Sequence, residues 1–125
     1  MPKLIFFDTE TTGNTEKDFL IQIAYKNGDE SFAGLYKPET KIPPEASAVH
    51  HITNKMVADK PTFKESTDQP IIKKLFEDPN SIVVAHNAPF DKGVLRAACG
   101  EHGIAAPAIK FIDTVKVARE VWGIY

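Results

Sequence analysis

The sequence has a single cysteine, Cys99. No intramolecular disulfide can form, so packing and hydrogen bonding must hold the fold. A reducing cytoplasm is the expected setting. Long apolar runs are missing as well. No stretch approaches the roughly 20 apolar residues of a membrane-spanning helix. Met1-Pro2-Lys3 and the short apolar run after it lack the length and cleavage site of a secretory signal. A basic excess is also absent: 15 Lys and Arg stand against 17 Asp and Glu, a formal net charge of −2. No charge imbalance therefore announces a nucleic-acid partner. Setting Asp8, Glu10 and Asp91 aside, for reasons given below, leaves 15 bases against 14 acids, a balance that permits a polyanionic substrate.

What is present is an ordinary globular composition. The 125 residues are 42% hydrophobic and 26% charged, enough for one domain with one core. Lys3 to Phe7 reads as a buried strand that stops at a polar turn, Asp8 to Asn14. Leu20 to Tyr25 and Ser31 to Tyr36 read as two strands joined in a hairpin at Asn27-Gly28-Asp29. Pro38, Pro43 and Pro44 mark a loop. Glu45 to His51 is expected to be a short helix, and Thr53 to cap a helical turn through Val57. Gln69 to Phe76 is predicted as a helix with Ile71, Ile72, Leu75 and Phe76 on one face. Ser81 to Ala85 is predicted as a strand, apolar after its first residue, as one buried on both faces would be. A helix over Pro89 to Gly100, a strand over Ile109 to Ile112 and a helix capped by Asp113 and reaching about Trp122 complete the chain. A hairpin followed by strand–helix–strand–helix predicts an α/β fold. Its mixed sheet has about five strands, the first three antiparallel and the later ones parallel, flanked by helices.

Two segments carry chemistry. Phe6-Phe7-Asp8-Thr9-Glu10-Thr11-Thr12-Gly13 places two carboxylates two residues apart on extended backbone, so both leave the same face of the sheet. Such a pair repels unless a cation lies between, and hard oxygen ligands suit Mg²⁺ or Mn²⁺ rather than zinc. Val84-Ala85-His86-Asn87-Ala88-Pro89-Phe90-Asp91 follows the apolar strand and opens a helix, with Asp91 in the helix's first turn. If that strand adjoins the first, Asp91 faces Asp8 and Glu10 across the switch between strands, where α/β sheets place ligands. Plain structural roles compete: helix-dipole complementation for Asp91, loop hydrogen bonding for His86 and Asn87, core packing for Phe90.

These two segments resemble motifs of the DEDD superfamily of 3′–5′ exonucleases, most closely its proofreading (DnaQ-like, RNase T-like) branch. Phe7 to Gly13 is similar to F-D-x-E-T-T-G, and His86 to Asp91 to H-N-x-x-F-D. Ile42 to Thr53 resembles the family's p-x-a-x-x-v-H-G-I-T stretch, with His51 in the usual Gly place. Asp113-Thr114 with Ala118-Arg119 resembles D-T-x-x-x-A-R. The likeness is colinear along essentially the whole chain. It implies a ribonuclease H-like fold and two-metal catalysis with Mg²⁺ or Mn²⁺. Asp8 would bridge the ions, with Glu10 and Asp91 in support. Thr11 would offer its backbone N–H to the terminal nucleotide, and His50, Ile52, Asn87 and Phe90 would bind substrate. The implied substrate is a single-stranded DNA or RNA 3′ end, with DNA preferred, and the implied product a nucleoside 5′-monophosphate.

The resemblance leaves one motif unmatched. The family carries H-x-x-x-x-D or Y-x-x-x-D on a helix after the one ending near Trp122, supplying a fourth carboxylate and, in the His type, the general base. Only His86 precedes an Asp at the first spacing, and that Asp is Asp91 itself. Tyr25 precedes Asp29 at the second, within the hairpin turn. The expectation is a single exonuclease domain lacking the C-terminal part of the usual fold. An H-x-x-x-x-D about 35–60 residues beyond Tyr125 would complete the set. Loss of a positioned general base costs about 10²–10⁴-fold in rate. Val117, Val121, Trp122, Ile124 and Tyr125 are expected to form an exposed patch that favours self-association. The alternatives are a nucleic-acid-binding remnant of this fold without catalysis, or a metal-dependent hydrolase of another substrate.

Overall fold

The computed structural model describes residues 2–13, 19–86, 91, 94–95 and 110–122, with the backbone alone at positions 118 and 122. Its strands are β1 (Lys3–Thr11), β2 (Leu20–Asn27), β3 (Glu30–Leu35), β4 (Ser81–Ala85) and β5 (Phe111–Asp113). They form one sheet in the order β3-β2-β1-β4-β5. β2 runs antiparallel to β1 and β3, and β4 runs parallel to β1 and β5. This is the mixed sheet that the alternation of elements predicts, and β4 does adjoin β1. The hairpin turns at Gly28-Asp29 between the paired Asn27 and Glu30, with Gly28 at φ +61°, a conformation glycine adopts without steric cost.

β1 extends beyond its expected end. Asp8, Thr9, Glu10 and Thr11 remain in the strand, opposite Ala24, Ile23, Gln22 and Leu20 of β2, with an irregularity between Glu10 and Thr11. Polar residues continue the ladder here because β2 supplies their backbone partners, whatever their side chains prefer.

One face of the sheet is packed along β1, while β4 is buried on both faces as expected, with Val83 at 0% and Val84 at 8% exposure. Ile5, Phe7 and Thr9 of β1 are buried on the same side as Ile23 and Tyr25 of β2 and Val83 of β4. Helix α3 (Asp68–Glu77) lays Ile72 and Phe76 in that core. The Phe76 ring meets Phe7 and Tyr25 edge-on at centroid distances of 5.0 and 6.0 Å, contacts of about 0.5–1.5 kcal/mol each beyond area burial. Ile71, expected on the same stripe, is 60% exposed. The inward arc of α3 is narrower than the sequence suggests. Asp91, Val94 and Leu95 have helical backbone, and Val94 and Leu95 join the same core.

A smaller cluster of Ile21, Ile42, Ile52 and Val57 seats helices α1 (Pro44–His50) and α2 (Asn54–Val57) near the end of β1. Thr53 caps α2 as expected, its hydroxyl accepting from the Met56 N–H at 3.3 Å. His51 closes α1 in the left-handed region (φ 63°, ψ 18°), its N–H donating to the Ser47 carbonyl at 2.8 Å. The Gly place of the resembled stretch is therefore a helix C-cap, where glycine lacks the Cβ penalty that His51 bears. Helix α4 (Thr114–Trp122) begins beside Asp113, whose carboxylate accepts from the Val115 N–H at 3.0 Å, the capping role expected. Val117 and Val121 are exposed. The rest of the expected patch, the Trp122 side chain, Ile124 and Tyr125, lies outside the described residues. No helix among the described residues is long and apolar enough to cross a membrane.

Candidate active site

The end of β1 carries the two acids on one side. Asp8, opposite Ala24, is exposed, and Glu10, opposite Gln22, is half-buried. Both point away from the packed core, as period-2 alternation requires. The Asp8 carboxylate accepts from the Thr9 N–H at 3.0 Å. Partial burial pushes the Glu10 carboxyl up, the Asp8 charge pushes it further, and His50 pulls it the other way.

Asp91 reaches the same strand from the other side. It is 3% exposed, and its Oδ1 accepts from the Thr9 hydroxyl at 2.5 Å. Burial raises its pKa to about 6. The Thr9 hydrogen bond acts against that rise, and the charges of Asp8, Asp113 and Glu10 add to it. The three carboxylates thus share one field although Thr9 stands between them. Among the described residues, no group of three or more His, Cys, Asp or Glu side chains draws together closely enough to hold a metal ion. The donor set nevertheless fits a hard divalent cation: it is all carboxylate oxygen and mutually repelling, so a cation would relieve the repulsion.

Beside Glu10 lies a cleft of about 490 Å³, lined by residues 9–13 of β1 and its turn and by α1 with the residue before it. His50 closes one wall. The Ile52 N–H can only donate, so His50 Nδ1 accepts it (3.1 Å), and Nε2–H then donates to the Thr11 carbonyl (3.2 Å). The ring ties α1 to the end of β1. Glu45, Ala46 and Val49 of α1 also line this cleft; all three fall within the stretch that resembles the family's p-x-a-x-x-v-H-G-I-T segment, Ala46 and Val49 at its matched positions. Thr11 is buried, with its hydroxyl donating to the Gly13 carbonyl at 2.5 Å. Thr12 joins the chain on either side of residues 14–18: its N–H donates to the Phe19 carbonyl and its hydroxyl accepts from the Phe19 N–H.

Of the expected substrate residues, Thr11 and His50 line the cleft. The Ile52 side chain packs instead with Ile21, Ile42 and Val57, so it meets the cleft only through its N–H on His50. Asn87 and Phe90 lie outside the described residues. His86 Nδ1 is 2.9 Å from the Thr114 hydroxyl, linking the end of β4 to the start of α4. A second, shallower cleft of about 700 Å³ runs along the unpacked sheet face, with Asp8, Phe6, Lys26 and His86 in its walls.

This fold recurs in known nucleases. The family model described as Exonuclease matches residues 5–123. The DNA polymerase III subunit epsilon of Treponema pallidum is 36% identical over 124 residues, which covers 93% of this chain and 55% of that protein. Exodeoxyribonuclease 10 of Escherichia coli is 38% identical over 88 residues, covering 70% of this chain and 33% of that protein. A solved exonuclease X in complex with 5′ overhanging duplex DNA superposes with a TM-score of 0.71 at 32% identity, covering 98% of this chain and 66% of that one. Apo exonuclease I superposes with a TM-score of 0.81 at 21% identity, covering 98% of this chain and 31% of that one, which marks a shared fold. The chain belongs to the exonuclease family, and its mixed sheet is the family's ribonuclease H-like sheet. It spans about half the length of the epsilon subunit it matches.

Proposed function

We propose that this chain is the acid-bearing part of a metal-dependent 3′–5′ exonuclease. Its reaction would release nucleoside 5′-monophosphates from single-stranded ends, with DNA preferred over RNA. The observation that carries the reading is the placement of Asp8 and Glu10 on one face at the end of β1, beside the cleft walled by His50. Asp8, Glu10 and Asp91 would hold Mg²⁺ or Mn²⁺, which when bound would generate the attacking hydroxide and stabilise the leaving 3′ oxygen. The chain's own contribution is position. β1 fixes the spacing of the two acids, and the rigid α1–β1 tie through His50 shapes the space where a terminal nucleotide would lie. A cleft of this size falls within the roughly 300–1,000 Å³ of small-ligand sites. The preference for DNA draws on exonuclease X, whose solved complex holds DNA. The epsilon subunits point to a polymerase as a partner class.

A second reading, a nucleic-acid-binding remnant without catalysis, is favoured by the absence of a tight three-ligand cluster among the described residues. One experiment separates the two. Labelled single-stranded DNA and RNA are digested with Mn²⁺ by the chain and by Asp8→Ala. The exonuclease reading expects mononucleotide release that falls at least about 10²-fold in Asp8→Ala, the scale of losing one preorganised electrostatic group. No release by the wild type, or equal release by both proteins, would overturn it.

A further inference from the structure

Thr9 lies between the two acids of β1 in sequence and on the opposite side of the strand in space. Its neighbours on that side, Ile5 and Phe7, are apolar core residues, and its cross-strand partner is Ile23. A hydroxyl among them must find an acceptor or lose stability. It finds Asp91 Oδ1, a residue 82 positions away. Val would keep the same branched shape and suit the strand equally well, so packing does not explain the hydroxyl.

The geometry points to Thr9 as a positioning residue for Asp91. Its hydroxyl occupies one carboxylate oxygen and restrains the carboxyl's rotation, so β1 would set the orientation in which Asp91 helps to hold a divalent cation. This rests on the metal-binding part of the proposed function. One strand then fixes all three acids: Asp8 and Glu10 directly from one face, and Asp91 through the side chain between them on the other. Partners of ligating carboxylates typically tune metal affinity or activity by 10–100-fold when removed.

The test is Mn²⁺ binding measured calorimetrically on the DNA-free chain, with wild type, Thr9→Val, Thr9→Ser and Thr9→Val in an Asp91→Asn background. Thr9→Val is expected to weaken Mn²⁺ binding about tenfold. Thr9→Ser, which retains the donor, should stay within about twofold. In the Asp91→Asn background, Thr9→Val should cost nothing further, because a residue acting through another shows no separate effect once that other is gone. A role in packing alone would leave the affinity of Thr9→Val unchanged and weaken Thr9→Ser through its lost methyl, and either result overturns the inference. So does an independent loss in the Asp91→Asn background. If Thr9→Val melts below the assay temperature, Thr9→Ser decides by its affinity. Wild type that binds Mn²⁺ without digesting DNA would sink the exonuclease reading and leave this inference standing. Wild type that binds no Mn²⁺ would overturn both.

Discussion

Phe6 and Phe7 are consecutive on β1 and meet opposite worlds. Phe7 is 4% exposed, edge-on to Phe76 in the core, while Phe6 is 55% exposed on the face that also carries Asp8 and Glu10. The packed face holds the fold. The open face leaves room for charge, and the carboxylates stand where packing stops. Asp91 lies on the packed side, buried and bonded to Thr9. In such an arrangement structural and chemical residues interleave along one strand, so their contributions can be separated by single substitutions.

The widest separation is expected between the two phenylalanines themselves. Phe7→Ala should destabilise by about 3–5 kcal/mol, the range for a buried aromatic truncated in a tight core. Phe6→Ala should change stability by less than about 1 kcal/mol. Urea midpoints for the two variants measure this, and similar losses in both would mean that the open face is covered in solution.

Asp91 provides the next test, since its burial opposes its charge. The unfolded carboxyl titrates near 3.8 and the folded one near 6. Between these values the folded state binds more protons than the unfolded state, so stability falls as pH rises. Below about pH 4 the cost is absent, and above about pH 6 it is complete, at roughly 2–3 kcal/mol for a shift of this size. Asp91→Asn keeps an acceptor for Thr9 and removes the charge. In metal-free buffer at pH 8 it should melt higher than wild type, and at pH 4 it should melt alike. A variant that melts lower at both pH values would contradict a destabilising charge at this position.

The smallest expected effect lies at His51, away from both faces. His51→Gly relieves a left-handed residue that has a Cβ, at the cost of a more flexible unfolded chain, for a net gain of about 1 kcal/mol or less. A rise in melting temperature checks it. No gain would show that the His51 side chain makes a compensating contact.

Local chemistry in the sequence accounts for the elements whose cause is local. The hairpin follows from Asn27-Gly28-Asp29, the α2 cap from Thr53, and the α4 cap from Asp113. The same holds for the shared face of Asp8 and Glu10, which period-2 alternation dictates. What the sequence concealed depends on partners distant along the chain. β1 continues to Thr11 because β2 pairs with it, and turn-like composition could not reveal that. Ile71 faces outward because the sheet beneath α3 accepts only a narrow stripe. Ile52 goes to the small cluster with Ile21 and Ile42 because α1 and α2 dock there. The Thr9–Asp91 bond spans 82 positions, and the one local signal for it was a polar residue recurring at inward positions of a strand otherwise built from Ile and Phe.

The open and packed faces of β1 differ by one step of the chain, which constrains how this gene can vary in length. A substitution at Asp8 or Glu10 removes a charge and leaves the remaining side chains where they were. A single-residue insertion between Phe7 and Asp8 would instead exchange the two faces beyond that point, driving carboxylates toward Phe76 and turning Thr9 out to solvent. Insertions and deletions are therefore expected to be purged from the stretch between Ile5 and Thr11 far more strictly than point changes, and to collect in the turns between elements.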